Sequence, residues 1–150
     1  MAKLHKDLSE LLGLFRSNDV DFLIVGGHAV AFHGYPRFTD DMDCLVRPSR
    51  ENGVRIVSAL RQFGFASLGL TPADFEAEDR MVQLGRAPNR VDLLTRLHDV
   101  EFDDAWASKV VGEIDGVPLW FIDRESLLRS KRATGRPQDL ADVAYIEKLP

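Results

Sequence analysis

GGHAVAFHGYPRFTDDMDCLV, residues 26 to 46, decides how the rest of the chain reads. A glycine pair, Gly26 and Gly27, closes the apolar run DFLIV at residues 21 to 25, and a spacer of helical character leads to Asp41 and Asp43 on the apolar run MDCLV. Strand side chains alternate between faces, so Asp41 and Asp43 project together while Met42 and Cys44 turn to the opposite side. Two ionised carboxylates side by side repel unless a cation lies between them or one takes a proton. Hard, oxygen-seeking Mg²⁺ or Mn²⁺ suits such a pair and commonly brings substrate phosphates as its remaining ligands.

Outward from that stretch, the local signals alternate between helix and strand. Leu4, Leu8, Leu11, Leu12 and Phe15 recur at helical spacing and predict an amphipathic helix over residues 3 to 17. Residues 21 to 25 and 42 to 46 read as strands, separated by a short helix over 28 to 33 that Gly34 and Pro36 end. Pro48 and Ser49 open a helix to Phe63, with Gly64 as its stop. Thr71, Pro72 and Asp74 combine a cap, a first-turn proline and a carboxylate near the positive end of a short helix. MVQLG and RVDLL predict a hairpin or two neighbouring strands, with Asp92 in a strand interior. KVVGEI and VPLWFI flank Asp115-Gly116, a pair suited to a type I′ turn. Asp123 caps a helix to Ala133, Gly135 ends it, and Pro137 starts a last helix. Sequential strands, hairpins and helices without a repeating βαβ unit predict a mixed sheet flanked by helices, α/β in the loose sense or α+β, in one domain spanning residues 1–150.

The bulk composition narrows the function classes. A chain of 150 residues can bury roughly two thirds of its unfolded surface and so hold a core. Its net charge of -5 excludes a surface built mainly to wrap nucleic acid, and the main basic cluster is local: Arg129, Lys131, Arg132 and Arg136. Cys44 is the single cysteine, which excludes an internal disulfide and suits a reducing compartment. The N-terminal segment lacks the apolar core of a signal peptide, and no apolar run approaches the roughly 20 residues that span a bilayer. A cytoplasmic protein without membrane contact is expected.

A third carboxylate, Asp92, lies in a run that can pair beside the Asp41/Asp43 strand. Three converging carboxylates are what a two-metal site needs, with ions about 4 Å apart holding the attacking and leaving oxygens of a phosphoryl displacement. Gly26 and Gly27 let backbone N–H groups approach a phosphate, and the following helix adds its positive end. Lys131 and Arg132, in the last turn of a late helix, are placed to cover a triphosphate, and Arg37 lies just before the aspartates.

The glycine pair, RFT before DMD, RVDLL around Asp92 and LLRSKRATGRPQDLADV near the end resemble the DNA polymerase beta-like nucleotidyltransferase superfamily. The resemblance is nearest to its small minimal branch, which includes the AbiEii-type toxins of toxin–antitoxin systems. It implies the nucleotidyltransferase fold and transfer of a nucleoside monophosphate from an NTP. It also implies metal binding by Asp41, Asp43 and Asp92, the last of which helps activate the attacking hydroxyl. Gly26 and Gly27 match the nucleotide-binding turn, Arg37 and Thr39 belong to the matched RFT, and Lys131 resembles a phosphate-gripping lysine. A later acid of the toxin branch matches Asp139 or Asp142. The implied acceptor is tRNA, another RNA, a protein or a small molecule, with a small antitoxin or other partner chain.

Plainer readings stand beside these. TDDMD suits a solvated turn capped by Asp40 and Asp41, the basic cluster suits an ordinary helix C-terminus, and Trp106, Trp120 and Phe121 suit core packing. His28 and His33 are five residues apart, which disfavours a zinc pair. The rival functions are a non-catalytic nucleotide-binding or interaction module on the same fold, and a carboxylate-dependent nuclease that needs Mg²⁺ but no NTP.

Overall fold

The computed structural model describes residues 6–36, 39, 41–86 and 90–150. Leu8, Leu11, Leu12 and Phe15 form one buried stripe of helix α1 (Lys6–Ser17), and the expected start of that helix before Lys6 lies outside the described residues. Burial of all four residues of β1 (Phe22–Val25) marks an interior strand. Helix α2 (Gly26–Phe32) follows without a break, so the glycine pair is the helix's own first turn rather than a loop ahead of it. β2 (Asp41–Val46) leads to α3 (Arg50–Phe63), where Ser49 accepts a hydrogen bond from the Asn52 N–H and Gly64 closes the helix at φ 107°. Thr71 and Asp74 form a capping box, but only on a four-residue 3-10 turn, Pro72–Phe75.

The second half holds β3 (Met81–Leu84), β4 (Arg90–Leu94), α4 (Phe102–Ala107), β5 (Val110–Ile114), β6 (Val117–Phe121), α5 (Arg124–Thr134) and α6 (Pro137–Glu147). Positive φ at both Asp115 and Gly116 is the signature of the type I′ turn expected between β5 and β6. Asp123 accepts from the Ser126 N–H and caps α5, as its position suggested. Helix α4 is an element that sequence reading left without structure.

The six strands form one mixed sheet in the order β3-β4-β2-β1-β6-β5. β1 pairs antiparallel with β2 and parallel with β6, while β2 and β4 run parallel. Alternation along β2 divides the core. Met42, Cys44 and Val46 join the cluster that buries α1 and α3, whereas Leu45 joins the cluster with Ala29, Phe102, Leu128 and Val143 from α2, α4, α5 and α6. Asp41 and Asp43 therefore face the second helical layer. Among the described residues no helix is long and apolar enough to cross a membrane.

Candidate active site

The parallel register of β2 and β4 sets Asp41 against Arg90 and Asp43 against Asp92. The same face then continues with Leu45 on β2 and Leu94 on β4. Val25, at the end of β1, pairs with Asp43 from the other side, so α2 begins beside that aspartate. At Gly26 the backbone turns through φ +66°, and a Cβ there would overlap Asp43 Oδ2. A Cβ on Gly27 would come within 2.9 Å of Thr39 Oγ1, and that hydroxyl donates to the Asp41 carbonyl at 3.1 Å. The glycine pair thus makes room for Asp43 and Thr39, which explains why side chains are missing at both positions.

Burial and the charges of Asp92 and Asp41 push the Asp43 carboxyl up to about 6, and a hydrogen bond shared with Asp92 adds to the effect. Arg90 pulls the other way without cancelling it. Asp92, 5% exposed, has both oxygens taken by Arg90: Nε donates to Oδ1 at 3.0 Å and Nη2 to Oδ2 at 2.9 Å. The Arg90 Nη1 also lies 3.8 Å from Asp41 Oδ2. Sequence reasoning passed over Arg90, although its place two residues before Asp92 puts both side chains on one strand face.

Three carboxylates are a donor set of the right kind for a hard divalent ion. As they stand, however, no group of three or more acidic, His or Cys side chains among the described residues is gathered closely enough to hold a metal. Asp43 and Asp92 meet, and Arg90 lies between Asp41 and Asp92, bonded to the second and 3.8 Å from the first. Cys44 points to the opposite core, where burial and the nearby Asp43 and Asp92 charges raise its thiol and leave it an unreactive packing residue. His28 is also buried, burial lowers its pKa, and its Nδ1 has no hydrogen-bond partner among the described residues.

The remaining expected site residues lie elsewhere or are otherwise engaged. Arg37 and Asp40 fall outside the described residues. Lys131 is 12% exposed and donates to Asp139 Oδ1 at 3.1 Å and to Asp142 Oδ2 at 2.9 Å. Thr134 and Arg136 complete the hold on Asp139, and Gln138 donates to Asp142. Lys131 would reach a phosphate only by leaving this network. Arg132 pairs with Glu147 at 3.1 Å, and Arg129 lines a cleft of about 820 Å³ with Leu45, Thr95, Arg96 and His98. The basic cluster is therefore divided among three surroundings. Leu45 is two residues from Asp43, roughly 6–7 Å along the strand, so the cleft flanks the aspartates on the same sheet side.

A six-stranded mixed sheet with aspartates on two parallel strands, beside a helix led by glycines, is a nucleotidyltransferase-like fold. The chain belongs to the family described as "Nucleotidyltransferase of unknown function (DUF6036)", whose model matches residues 1–147. The fold is shared with an antigenic nucleotidyltransferase-like protein from Paracoccidioides brasiliensis, whose crystal structure superimposes with a TM-score of 0.52 at 18% identity over 97% of this chain and 78% of that one. No curated protein matches the chain. Family and fold place it among nucleotidyltransferases at large and do not single out the toxin branch.

Proposed function

We propose that the chain is a metal-dependent nucleotidyltransferase that moves a nucleoside monophosphate from an NTP to an acceptor hydroxyl. The observation that carries this is the cross-strand pair Asp43 and Asp92, with Asp41 on the same face and Gly26 leaving the space for Asp43. Asp41, Asp43 and Asp92 would hold Mg²⁺ or Mn²⁺, which when bound supplies positive charge to the triphosphate. The acceptor oxygen bonds to the α-phosphorus as the bond from that phosphorus to the bridging oxygen breaks, and pyrophosphate leaves. The hydroxyl proton passes to a carboxylate of this face, which we assign to Asp92. Gly26 and Gly27 let the start of α2 pack against Asp43 and Thr39, beside where the nucleotide would lie. Lys131 and Arg132 contribute to nucleotide binding only if their present partners release them.

At a net charge of -5, an RNA acceptor needs a local basic surface such as Arg129 at the flanking cleft, or a partner chain. A toxin role beside an antitoxin, in the cytoplasm, rests on the motif resemblance of residues 127 to 143. It predicts that expression of the native chain, but not of Asp43→Asn, arrests growth. A non-catalytic module is the second reading, favoured by Arg90's hold on Asp92.

Incubation with each α-labelled NTP and Mg²⁺, followed by separation of RNA and protein, tests the reaction against the Asp41→Asn/Asp43→Asn double variant. Label retained in one fraction and lost in the variant is the expected result. Equal label from native chain and variant would overturn it, and an NTP-independent, Mg²⁺-dependent loss of RNA would favour the nuclease.

A further inference from the structure

The guanidinium of Arg90 stands among three acidic groups, and its partners are unequal. It makes two charge-assisted bonds to buried Asp92 and a looser approach to Asp41. Such forked arginine–carboxylate pairs are stronger than single ion pairs and fix the carboxylate's orientation. Arg90 itself is not buried: its side chain is 35% exposed, so it has solvent into which to move. While both of its oxygens accept from Arg90, Asp92 has fewer lone pairs to offer another cation.

Resting on the metal role proposed above, we infer that Arg90 is a built-in counter-cation which a divalent ion must displace from Asp92. Metal capture and arginine release are then one event. In the metal-free chain Arg90 limits repulsion between Asp41, Asp43 and Asp92 and keeps the sheet face intact. The displaced guanidinium would remain tethered to the rim of the same face. Arg90 is thus a positioning residue that lowers metal affinity, the opposite of a residue that supports a metal site.

Mn²⁺ binding to the native chain and to Arg90→Gln, read without nucleotide from the free-ion electron paramagnetic resonance signal, tests this directly. Removing a competitor held by charge-assisted bonds should tighten Mn²⁺ binding by about tenfold or more. Arg90→Lys, which keeps the charge but loses the fork, should fall between. Unchanged or weaker binding in Arg90→Gln would overturn the inference, because a merely supporting arginine cannot yield tighter binding when removed. A second measurement needs no variant. Phenylglyoxal modification of Arg90 in the native chain, followed by mass spectrometry, should quicken when Mn²⁺ is added; unchanged or slower modification would overturn it.

The metal role is tested separately by Asp43→Asn. Mn²⁺ binding that is lost in this variant but not tightened by Arg90→Gln would leave the metal role standing and remove Arg90's part. No binding to the native chain or to Arg90→Gln would remove both.

Discussion

Two clusters of four charged side chains, one on the sheet and one between the last two helices, solve the same electrostatic problem differently. Between α5 and α6, Asp139 and Asp142 are buried but surrounded by Lys131, Thr134, Arg136 and Gln138. These hydrogen bonds more than offset burial at Asp139 and hold its carboxyl below the usual range. On the sheet, Asp41, Asp43 and Asp92 share Arg90, and Asp43 is pushed up to about 6. The helical cluster is satisfied by its own neighbours; the sheet cluster is short of positive charge. Compensated charge fastens two elements together, whereas uncompensated charge in an accessible place stands ready for a cation or a proton.

Removing the centre of the satisfied cluster should have the largest effect on stability. Lys131→Met leaves two buried carboxylates without their ammonium, and breaking a buried pair in this way costs roughly 3–5 kcal/mol. Urea unfolding monitored by circular dichroism should show that loss; a change within about 0.5 kcal/mol, as for ordinary surface substitutions, would mean that Lys131 is not a fastener.

Gly26→Ala attacks the sheet cluster through its backbone. The residue would carry a Cβ in the left-handed region, at roughly 1–2 kcal/mol, and would displace the Asp43 carboxylate. Nucleotide transfer should fall with stability. Full transfer at reduced stability would show that Asp43 need not occupy its observed position.

Titration separates the clusters by sign. Asp43 binds its proton more tightly folded than unfolded, so its contribution favours the fold at low pH and is lost as pH rises from about 4 through about 6. Asp139 is the reverse: its contribution is present above the unfolded value near 3.8 and is lost as pH falls below it. Asp43→Asn should therefore flatten the pH 4–6 slope of denaturant-derived stability by on the order of 1 kcal/mol while leaving the acid limb. An unchanged slope would mean that Asp43 is not the group under strain.

Local chemistry made much of this protein legible. Ser49, Gly64, Asp123, Gly135 and Pro137 act within a few residues of themselves, and each ends or begins a helix as its type suggests. Asp115-Gly116 forms its turn for the same reason. The alternation that puts Asp41 and Asp43 on one face needs only the geometry of a single strand. Helix α4 escaped notice because FDDAWA is too short to show a helical period, although Asp103 and Asp104 supply an acidic first turn.

The sequence by itself determined every strand and every α-helix but α4, the shared face of Asp41 and Asp43, and the family resemblance, because these depend on backbone preferences and spacing along one chain. Only the tertiary structure decided that Asp43 opposes Asp92, that Arg90 takes both oxygens of Asp92, and that Lys131 is fastened between α5 and α6 rather than free. Each of these depends on register or packing between segments distant in sequence. A charged side chain selects its partner from whatever the fold brings within about 3 Å of it.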